Sequence, residues 1–271
     1  MRFIGYKDKA TRMIGRVTPD AKVVPVTDIE TFYSDLNHWT RQSGDPSRAL
    51  DVSGIEEVPA IPVGAAVFCV GLNYRAHAAE VNKEISERPV LFGRWTRSLV
   101  ASGTPVPAVE EKLDWEGEVA AIIGQPLFRV GEDAVPGAIF GYATFNDISA
   151  RTYQRHTPQW TLGKNAVASG PIGSILTSDE VGNLKQGLQL RTLVNGDVVQ
   201  QASTADMIHS LEKVVAYISE VFELHPGDVI ATGTPAGVGA GHVPPRFLKP
   251  GDSVEVEVEK LGKIRNTIVA C

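Results

Sequence analysis

Residues 113–124 read LDWEGEVAAIIG and join three acids to an apolar run. Asp114, Glu116 and Glu118 alternate with other residues, so a β-strand would place all three carboxylates on one face. The segment 119–123 continues as VAAII, which indicates that the strand enters the core of the protein. The stretch therefore predicts a buried strand with acids at its mouth.

Spacing alone leaves two interpretations of the acidic face. The strand is either a solvated edge whose charges discourage aggregation or part of a metal site, because buried, unpaired carboxylates are costly. A further acid, Asp147, ends the apolar run AIFGYATFND at 138–147. Oxygen-only ligands would favour Mg²⁺, Mn²⁺ or Ca²⁺ over zinc, and the sequence has no CxxC or HExxH motif.

Outward from this stretch, short apolar runs that end in Gly, Asn or Asp predict further strands. Helical spacing appears at 74–84 and 204–223, and residues 28–42, DIETFYSDLNHWTRQ, predict one more helix. Many strands and few helices, without regular βαβ alternation, predict an α+β fold that is mainly β. The other predicted strands of this part of the chain are AAVFCVGL (65–72), QLRTLVNG (189–196), GDVIATGT (227–234) and DSVEVEVEKLG (252–262).

The first 62 residues differ from the rest of the chain. The short runs RFIGY, MIGRV and KVVPV are separated by charged turns and predict a small β unit. The segment 55–64, IEEVPAIPVG, is interpreted as a proline-spaced linker. The sequence therefore predicts a small N-terminal β domain at 1–62 and a larger domain at 63–271.

Composition excludes several classes of function. The chain has 271 residues, 43% of them hydrophobic, and a net charge of −6 without a basic run, which argues against nucleic-acid binding. No stretch of apolar residues is long enough to predict a membrane span. Two cysteines are too few for a disulfide framework, and the N-terminus shows no secretory pattern, so a cytoplasmic location is expected.

Two further motifs contain residues that could take part in catalysis. In GLNYRAHAAE, His77 and Glu80 are three residues apart, and on a helix the carboxylate could orient the imidazole as a base. An ordinary exposed pair is the more common meaning of that spacing. Lys164, in WTLGKN, could reach a negatively charged substrate oxygen, although loop lysines are common.

The glycine-rich segment 232–245, TGTPAGVGAGHVPP, does not predict a dinucleotide site. Such a site needs its glycines to open a helix, and Pro244 and Pro245 oppose one here. The glycines instead predict a tight turn beside a site, to which Thr234 offers a hydroxyl group.

Seven motifs occur in an order that resembles the C-terminal catalytic domain of the fumarylacetoacetate hydrolase family. The resemblance covers about residues 65–269, and residues 1–60 resemble the small β domain of many bacterial members. The motifs are GLNYRAHAAE, PVLFGRW, LDWEGEVAAIIG, GYATFNDISARTYQ, WTLGKN, VNGDVVQ and LHPGDVIATGTPAGVG.

The resemblance implies a mixed β-roll, or flattened barrel, that forms a homodimer. It implies a Mg²⁺ ion, or Mn²⁺ or Ca²⁺, held by Glu116, Glu118 and Asp147. Asp114 is not a usual ligand of this family and is expected to lie behind the others. The matched motifs also imply catalytic and substrate-contacting roles, which fall here on His77, Glu80, Lys164, Arg151, Gln154 and Thr234.

Two residues depart from the family pattern. Arg94 stands where many relatives have lysine, and Thr152 stands where an aspartate commonly follows the SAR tripeptide. An arginine keeps the positive charge but presents a planar fork rather than a point. We expect this change to affect specificity.

The resemblance implies a metal-dependent hydrolase that cleaves a C–C bond in a β-diketone or acylpyruvate-type carboxylic acid, in the catabolism of aromatic or related compounds. The alternative is a decarboxylase or isomerase acting through the same enolate chemistry on oxaloacetate or a ring-fission 2-oxo dicarboxylate. Two other classes remain open: a non-catalytic binding protein of this fold, and a structural β protein whose acids only solvate an edge.

Overall fold

Strands dominate the computed structural model, which describes residues 1–42 and 44–271. They are β1 (Arg2–Asp8), β2 (Thr11–Val17), β3 (Lys22–Asp28), β4 (Leu50–Asp51), β5 (Glu56–Val58), β6 (Val67–Gly71), β7 (Val90–Arg94), β8 (Leu99–Val100), β9 (Val106–Ala108), β10 (Leu113–Asp114), β11 (Gly117–Ile123), β12 (Ile139–Asn146), β13 (Ser149–Ala150), β14 (Gly170–Pro171), β15 (Ile175–Thr177), β16 (Gln189–Val194), β17 (Asp197–Ser203), β18 (Val229–Ala231), β19 (Ser253–Val258) and β20 (Gly262–Ala270). The predicted strands are all present.

The helices are short. They are α1 (Ile29–Ser34), α2 (Leu36–Arg41), α3 (Arg75–Glu80), α4 (Arg151–Arg155), α5 (Thr161–Lys164), α6 (Ser178–Val181) and α7 (Leu211–Ser219). None of the described helices is long and apolar enough to cross a membrane.

All three helix predictions were too long. The stretch 28–42 forms two helices because the Asp35 side chain accepts a hydrogen bond from the backbone of His38 and starts a second helix. The stretch 74–84 is helical only in α3, since Asn82 adopts a positive φ of 52°. The stretch 204–223 is helical chiefly in α7, because Met207 pairs in a β-bridge with Tyr74.

Most strands belong to two open sheets. The larger has the order β4-β3-β2-β1-β15-β12-β11-β18-β6-β7, with β5 also paired to β1, and the smaller has the order β17-β16-β19-β20-β9. Neither described sheet closes on itself. The prediction of an α+β fold that is mainly β is confirmed. Among the described residues, the predicted flattened barrel takes the form of open sheets and not of a closed barrel.

Strand β11 lies at the centre of the molecule and is buried on both faces. Val119, Ala121 and Ile123 belong to one core cluster, which also contains residues of α7. Ala120 and Ile122 belong to a second cluster, which contains Phe32 of α1. Burial of both faces explains the uninterrupted apolar run VAAII, because each face must be apolar to pack in a core.

The spacing of the acids predicts one continuous strand through this stretch, but the structure contains a break there. Strand β10 ends at Asp114 and β11 begins at Gly117. Between them, the Glu116 N–H donates to the Asn146 side chain at 3.0 Å and the Glu116 carbonyl accepts from the Asp147 N–H at 2.8 Å. These bonds to the end of β12 place Glu116 beside Asp147.

The N-terminal strands extend the main sheet. Strand β1 pairs with β2 and β5, and its first residues also pair with β15 through Arg2–Leu176 and Phe3–Ile175. The segment interpreted as a linker therefore contains a strand, β5, whose backbone forms hydrogen bonds with β1. The domain boundary near residue 62 stays a prediction.

A pH-dependent stability is expected from Glu57 of β5, which lies opposite Tyr6. Burial raises the pKa of Glu57 from its ordinary value of 4.5 to about 7. The folded protein therefore binds more protons than the unfolded chain between these values, and the free energy of unfolding falls as pH rises through this window. Glu57→Gln should remove that slope and add about 1–3 kcal/mol at pH 8, as measured by urea unfolding.

The matched control for this substitution is Glu56→Gln. Glu56 is exposed on the same strand and pairs with Lys7 at 3.2 Å, so its substitution should leave the slope unchanged. Equal pH profiles of the wild type and Glu57→Gln would contradict the prediction.

Candidate active site and metal centre

One cavity of about 370 Å³ collects most of the residues that the sequence nominated. It opens between α3, the pair α4 and α5, and the loop that follows β18. Six nominated residues line it: His77, Glu116, Arg151, Gln154, Lys164 and Thr234. Glu118 and Asp147 lie buried beside Glu116, and Glu80 contacts His77.

The three predicted metal ligands meet in a buried cluster. Glu116, Glu118 and Asp147 each present a carboxylate oxygen within 4.8 Å of the other two. The register of β11 and β12 produces this proximity, because Gly117 lies opposite Asn146. Glu116 and Glu118 flank Gly117, and Asp147 directly follows Asn146, so the pairing brings the three acids together. The sequence positions are distant, but the antiparallel hairpin brings them to one end.

Cations surround two of the three acids. Lys164 Nζ lies 2.7 Å from Glu116 Oε2 and 2.6 Å from Asp147 Oδ2. Arg151 lies 2.6 Å from Glu116 Oε1, and Arg94 pairs with Asp147. Burial alone would raise the pKa of Glu116, but Lys164 and Arg151 outweigh it and lower the pKa to about 2.

Lys164 stays charged in this setting. Burial by itself lowers the pKa of its ammonium group, but the Asp147 and Glu116 carboxylates outweigh burial and raise the pKa above its ordinary value. The lysine ends α5 and is 2% exposed. It therefore provides a fixed positive charge on the wall of the cavity rather than a mobile loop side chain.

Glu118 is the acid of the cluster that lacks a cationic partner in the described part of the chain. Lys164 pairs with the other two acids, and Glu118 forms no ion pair within the described residues. Burial, followed by the charges of Asp147 and Glu116, raises the pKa of Glu118 well above its ordinary value. Its carboxylate accepts a hydrogen bond from the Gly233 N–H at 2.8 Å. A buried group of three carboxyl side chains, one of which has no cationic partner among the described residues, fits a hard divalent cation.

Asp114 has a structural role behind the cluster. Its carboxylate accepts from Arg151 Nε at 2.8 Å and from the N–H groups of Gly239 and Ala240 at 2.6 and 2.9 Å. It thereby fixes both the Arg151 side chain and the glycine-rich turn. The turn lies beside the cavity, as the glycine pattern predicted.

His77 and Glu80 share a face of α3. His77 Nδ1 lies 2.9 Å from Glu80 Oε2, and Glu80 Oε1 accepts from the Gly237 N–H at 2.9 Å. Burial alone would raise the pKa of Glu80, but these hydrogen bonds lower it. An ionised Glu80 accepts a hydrogen bond from Nδ1–H, which leaves Nε2 of His77 as the nitrogen able to accept a proton from a ligand.

The predicted substrate-contacting residues differ in whether their hydrogen-bond donors already have partners. Arg151 also donates to Gln154 Oε1 at 3.0 Å, and its second terminal nitrogen, NH2, is buried without a partner among the described residues. Thr234 donates its hydroxyl proton to the Gly117 carbonyl at 3.0 Å and accepts from Gln200 at 2.8 Å. Arg151 therefore keeps one buried donor nitrogen without a partner among the described residues, and the Thr234 hydroxyl is fully engaged.

Sequence reasoning missed two cations on the wall of the cavity. Arg155 and Lys83 line it, are exposed, and have no ion-pair partner among the described residues. Arg155 could have been found, because it follows Arg151 by four residues and α4 places both on one face. Lys83 follows the end of α3, and its spacing gave no such signal.

The two departures from the family pattern lie away from the cavity. Arg94 is buried behind Asp147, and its guanidinium also contacts Ser98, Ser169 and the Ile148 carbonyl. The Arg94 side chain does not line the cavity and, among the described residues, reaches the site only through Asp147, so its effect on specificity stays a prediction. The Thr152 N–H donates to Glu110 at 2.9 Å.

The buried acids, the His77–Glu80 pair and the cavity define a candidate metal-dependent active site. Residues 66–269 match the family model described as fumarylacetoacetate (FAA) hydrolase C-terminal. The chain belongs to the fumarylacetoacetate hydrolase family, which is a family of enzymes.

Three comparisons illustrate the range of this family. The chain is 37% identical over 207 residues to the mitochondrial oxaloacetate tautomerase fahd2 of Xenopus laevis, covering 75% of this chain and 65% of that protein. It is 36% identical over 241 residues to the oxaloacetate tautomerase YisK of Bacillus subtilis, covering 86% and 80%. A solved fumarylacetoacetate hydrolase from Exiguobacterium antarcticum superposes with a TM-score of 0.87 at 29% identity over all of both chains. The chain thus spans less than two thirds of the frog relative.

Proposed function

We propose that this chain is a divalent-metal-dependent enzyme that interconverts the keto and enol forms of a small 2-oxo dicarboxylate such as oxaloacetate. One observation carries the proposal: His77 lines the same cavity as Glu116, which belongs to the buried carboxylate cluster. Two relatives that bear the name oxaloacetate tautomerase support the choice of reaction.

The charges around the cavity favour a dianionic substrate. Within the described part of the chain, Lys83 and Arg155 at its wall form no ion pair, and Arg151 has one buried terminal nitrogen without a partner. Arginine groups of this kind bind carboxylates through paired N–H donors. A dicarboxylate could therefore place one carboxylate toward the buried cluster and the other toward the exposed cations.

The metal would be held by Glu116, Glu118 and Asp147, with Mg²⁺ as the expected ion and Mn²⁺ or Ca²⁺ as alternatives. Such an ion would supply electrophilic polarisation of the substrate's 2-oxo group. Lys164, held between Glu116 and Asp147, adds a fixed positive charge that stabilises negative charge developing on the substrate oxygen.

His77 would carry the proton in this reaction. Its Nε2 removes a proton from the carbon next to the oxo group, the C–H electron pair forms the C=C bond, and the same imidazole gives the proton to the 2-oxygen. Glu80, bonded to Nδ1 at 2.9 Å, stabilises the imidazolium between the two steps. No attacking water is needed.

The second candidate is C–C hydrolysis of an acylpyruvate. The His77–Glu80 pair also has the arrangement of a base that activates water, and the Exiguobacterium neighbour is named as a hydrolase. The two candidates use the same residues and differ in whether His77 takes its proton from carbon or from water.

The homodimer implied by the family resemblance also remains a proposal. Trp95, Leu162 and Val167 have exposures of 59%, 68% and 59%. The Trp95 N–H binds the side chain of Asn165, which places these apolar groups near one another. A second copy of the chain would cover such a surface.

The test is to assay both reactions with wild type and His77→Gln, in Mg²⁺ and in excess chelator. We expect the wild type to accelerate ketonisation of enol oxaloacetate, followed by ultraviolet absorbance, and to cleave acylpyruvates more slowly. His77→Gln should lower kcat for ketonisation by about 10²–10⁴-fold, the range for loss of a general base. Chelator should abolish the activity and Mg²⁺ or Mn²⁺ should restore it.

His38→Gln is the matched control, because His38 is an exposed helical histidine of α2. Ketonisation at the wild-type rate in His77→Gln would refute the role of the imidazole, and full activity in chelator would refute the metal. Faster acylpyruvate cleavage than ketonisation would favour the hydrolase.

A further inference from the structure

The motif VNGDVVQ at 194–200 has no role in the mechanism above. Its last residue, Gln200, lies on β17 and is 2% exposed. Strand β17 belongs to the smaller sheet, which contributes none of the nominated metal or substrate residues. A buried amide from a sheet without any other site residue therefore needs an explanation.

The Gln200 carboxamide uses both of its ends. Its Oε1 accepts from the Gly117 N–H at 2.9 Å. Its Nε2 donates to Thr234 Oγ1 at 2.8 Å and to the Pro235 carbonyl at 2.9 Å. The side chain therefore bonds the first residue of β11 and, at the same time, the loop that follows β18.

Gly117 is the residue between Glu116 and Glu118. A Cβ atom at this position would overlap the hydroxyl of Thr192 on β16, so the smaller sheet approaches the backbone here as closely as glycine allows. Thr234 in turn returns a hydrogen bond to the Gly117 carbonyl at 3.0 Å. Both polar groups of Gly117 are thus held by a ring of bonds that passes through Gln200.

We propose that Gln200 is a positioning residue that sets the metal ligands and the substrate wall relative to each other. Its oxygen holds the backbone between Glu116 and Glu118, and its nitrogen holds Thr234 at the cavity. This inference rests on the proposed metal-dependent function, but it concerns a residue that contacts neither the metal ligands' carboxylates nor the cavity.

Two substitutions separate the two ends of the amide. Gln200→Met removes both sets of bonds, and we expect its Mn²⁺ dissociation constant to rise about 10–100-fold, the usual effect of losing a group that orients metal ligands. Gln200→Glu keeps an acceptor for the Gly117 N–H and loses the donors. It should raise KM for oxaloacetate by about tenfold and change the Mn²⁺ dissociation constant much less.

The measurements are Mn²⁺ titration calorimetry, kcat and KM measured separately, and hydrogen exchange of the peptide 113–119 in metal-free protein. Exchange at the Gly117 amide should rise in Gln200→Met and stay slow in Gln200→Glu. Gln201→Met is the matched control, since Gln201 is the exposed next residue of the same strand.

The outcomes distinguish the two proposals. If wild type binds Mn²⁺ and turns over oxaloacetate but Gln200→Met matches it in metal affinity and exchange, the role of Gln200 is refuted alone. If wild type neither binds Mn²⁺ nor turns over, the proposed function fails, and the exchange data still report whether Gln200 holds Gly117. Equal losses in both Gln200 variants would refute the division between its two ends.

Discussion

Glu118→Gln is expected to abolish metal-dependent turnover and to make the metal-free protein more stable. The two effects have one cause, because Glu118 is the acid of the cluster without an ion pair among the described residues. Burial, followed by the charges of Asp147 and Glu116, raises its pKa, because the metal-free fold disfavours the charged form of this carboxyl group. A glutamine has nearly the same shape and carries no charge, so it avoids this cost.

The expected sizes follow from the same argument. Holding a buried acid without a compensating cation costs about 1–3 kcal/mol, which glutamine would recover. The affinity for Mn²⁺ should fall at least about 100-fold, because one of three anionic ligands becomes neutral. Urea unfolding in chelator and calorimetric titration measure these two quantities.

Glu116→Gln is the matched comparison. The change is chemically identical, but Glu116 is paired with Lys164 and Arg151, so its loss leaves buried cations less compensated and should lower stability. Both variants should lose metal affinity. A Glu118→Gln protein that is less stable than the wild type in chelator would contradict the account of the cluster.

Arg94→Met is expected to cause the largest loss of stability, about 3–5 kcal/mol, the usual cost of breaking a buried ion pair. The Arg94 side chain is fully buried. Its donors reach Asp147, both the hydroxyl and the carbonyl of Ser169, Ser98 and the Ile148 carbonyl. Methionine would remove all of these donors, and Lys164 would remain as the ion-pair partner of Asp147 among the described residues.

Two other variants make the Arg94 measurement specific. Arg94→Lys keeps the charge and should cost less, which agrees with the lysine that the family pattern has at this position. Arg191→Met removes an arginine whose ion pair with Glu257 is largely exposed, and it should cost less than about 1 kcal/mol. A loss below that size for Arg94→Met, measured by urea unfolding, would refute the buried-pair argument.

The strands could be predicted from sequence because their burial requires runs of apolar residues that are visible locally in the sequence. The run VAAII of β11 is apolar at every position since both faces of the strand are covered. The helix ends were predicted less well, because single residues decide them. The break at Asp35 depends on a side-chain cap, and the end of α3 on the positive φ of Asn82.

The site was predictable to the extent that residue types and order carry chemistry. Glu116 and Glu118 were nominated by their spacing, but Asp147 joined them through motif order and is placed by strand pairing. The residues that hold the site in position leave no local pattern. Gln200 contacts Gly117 across 83 positions of the chain, and no periodicity reports such a contact.

The pairing of β1 with β15 matters for the segment that matches the family model, because that segment does not include β1. Residues 66–269 contain β15 but not β1, so that segment by itself would present the outer side of β15 with unpaired N–H and C=O groups. Open sheet edges of this kind recruit strands from other molecules. In this chain the first strand covers that edge of β15 with a partner from the same molecule.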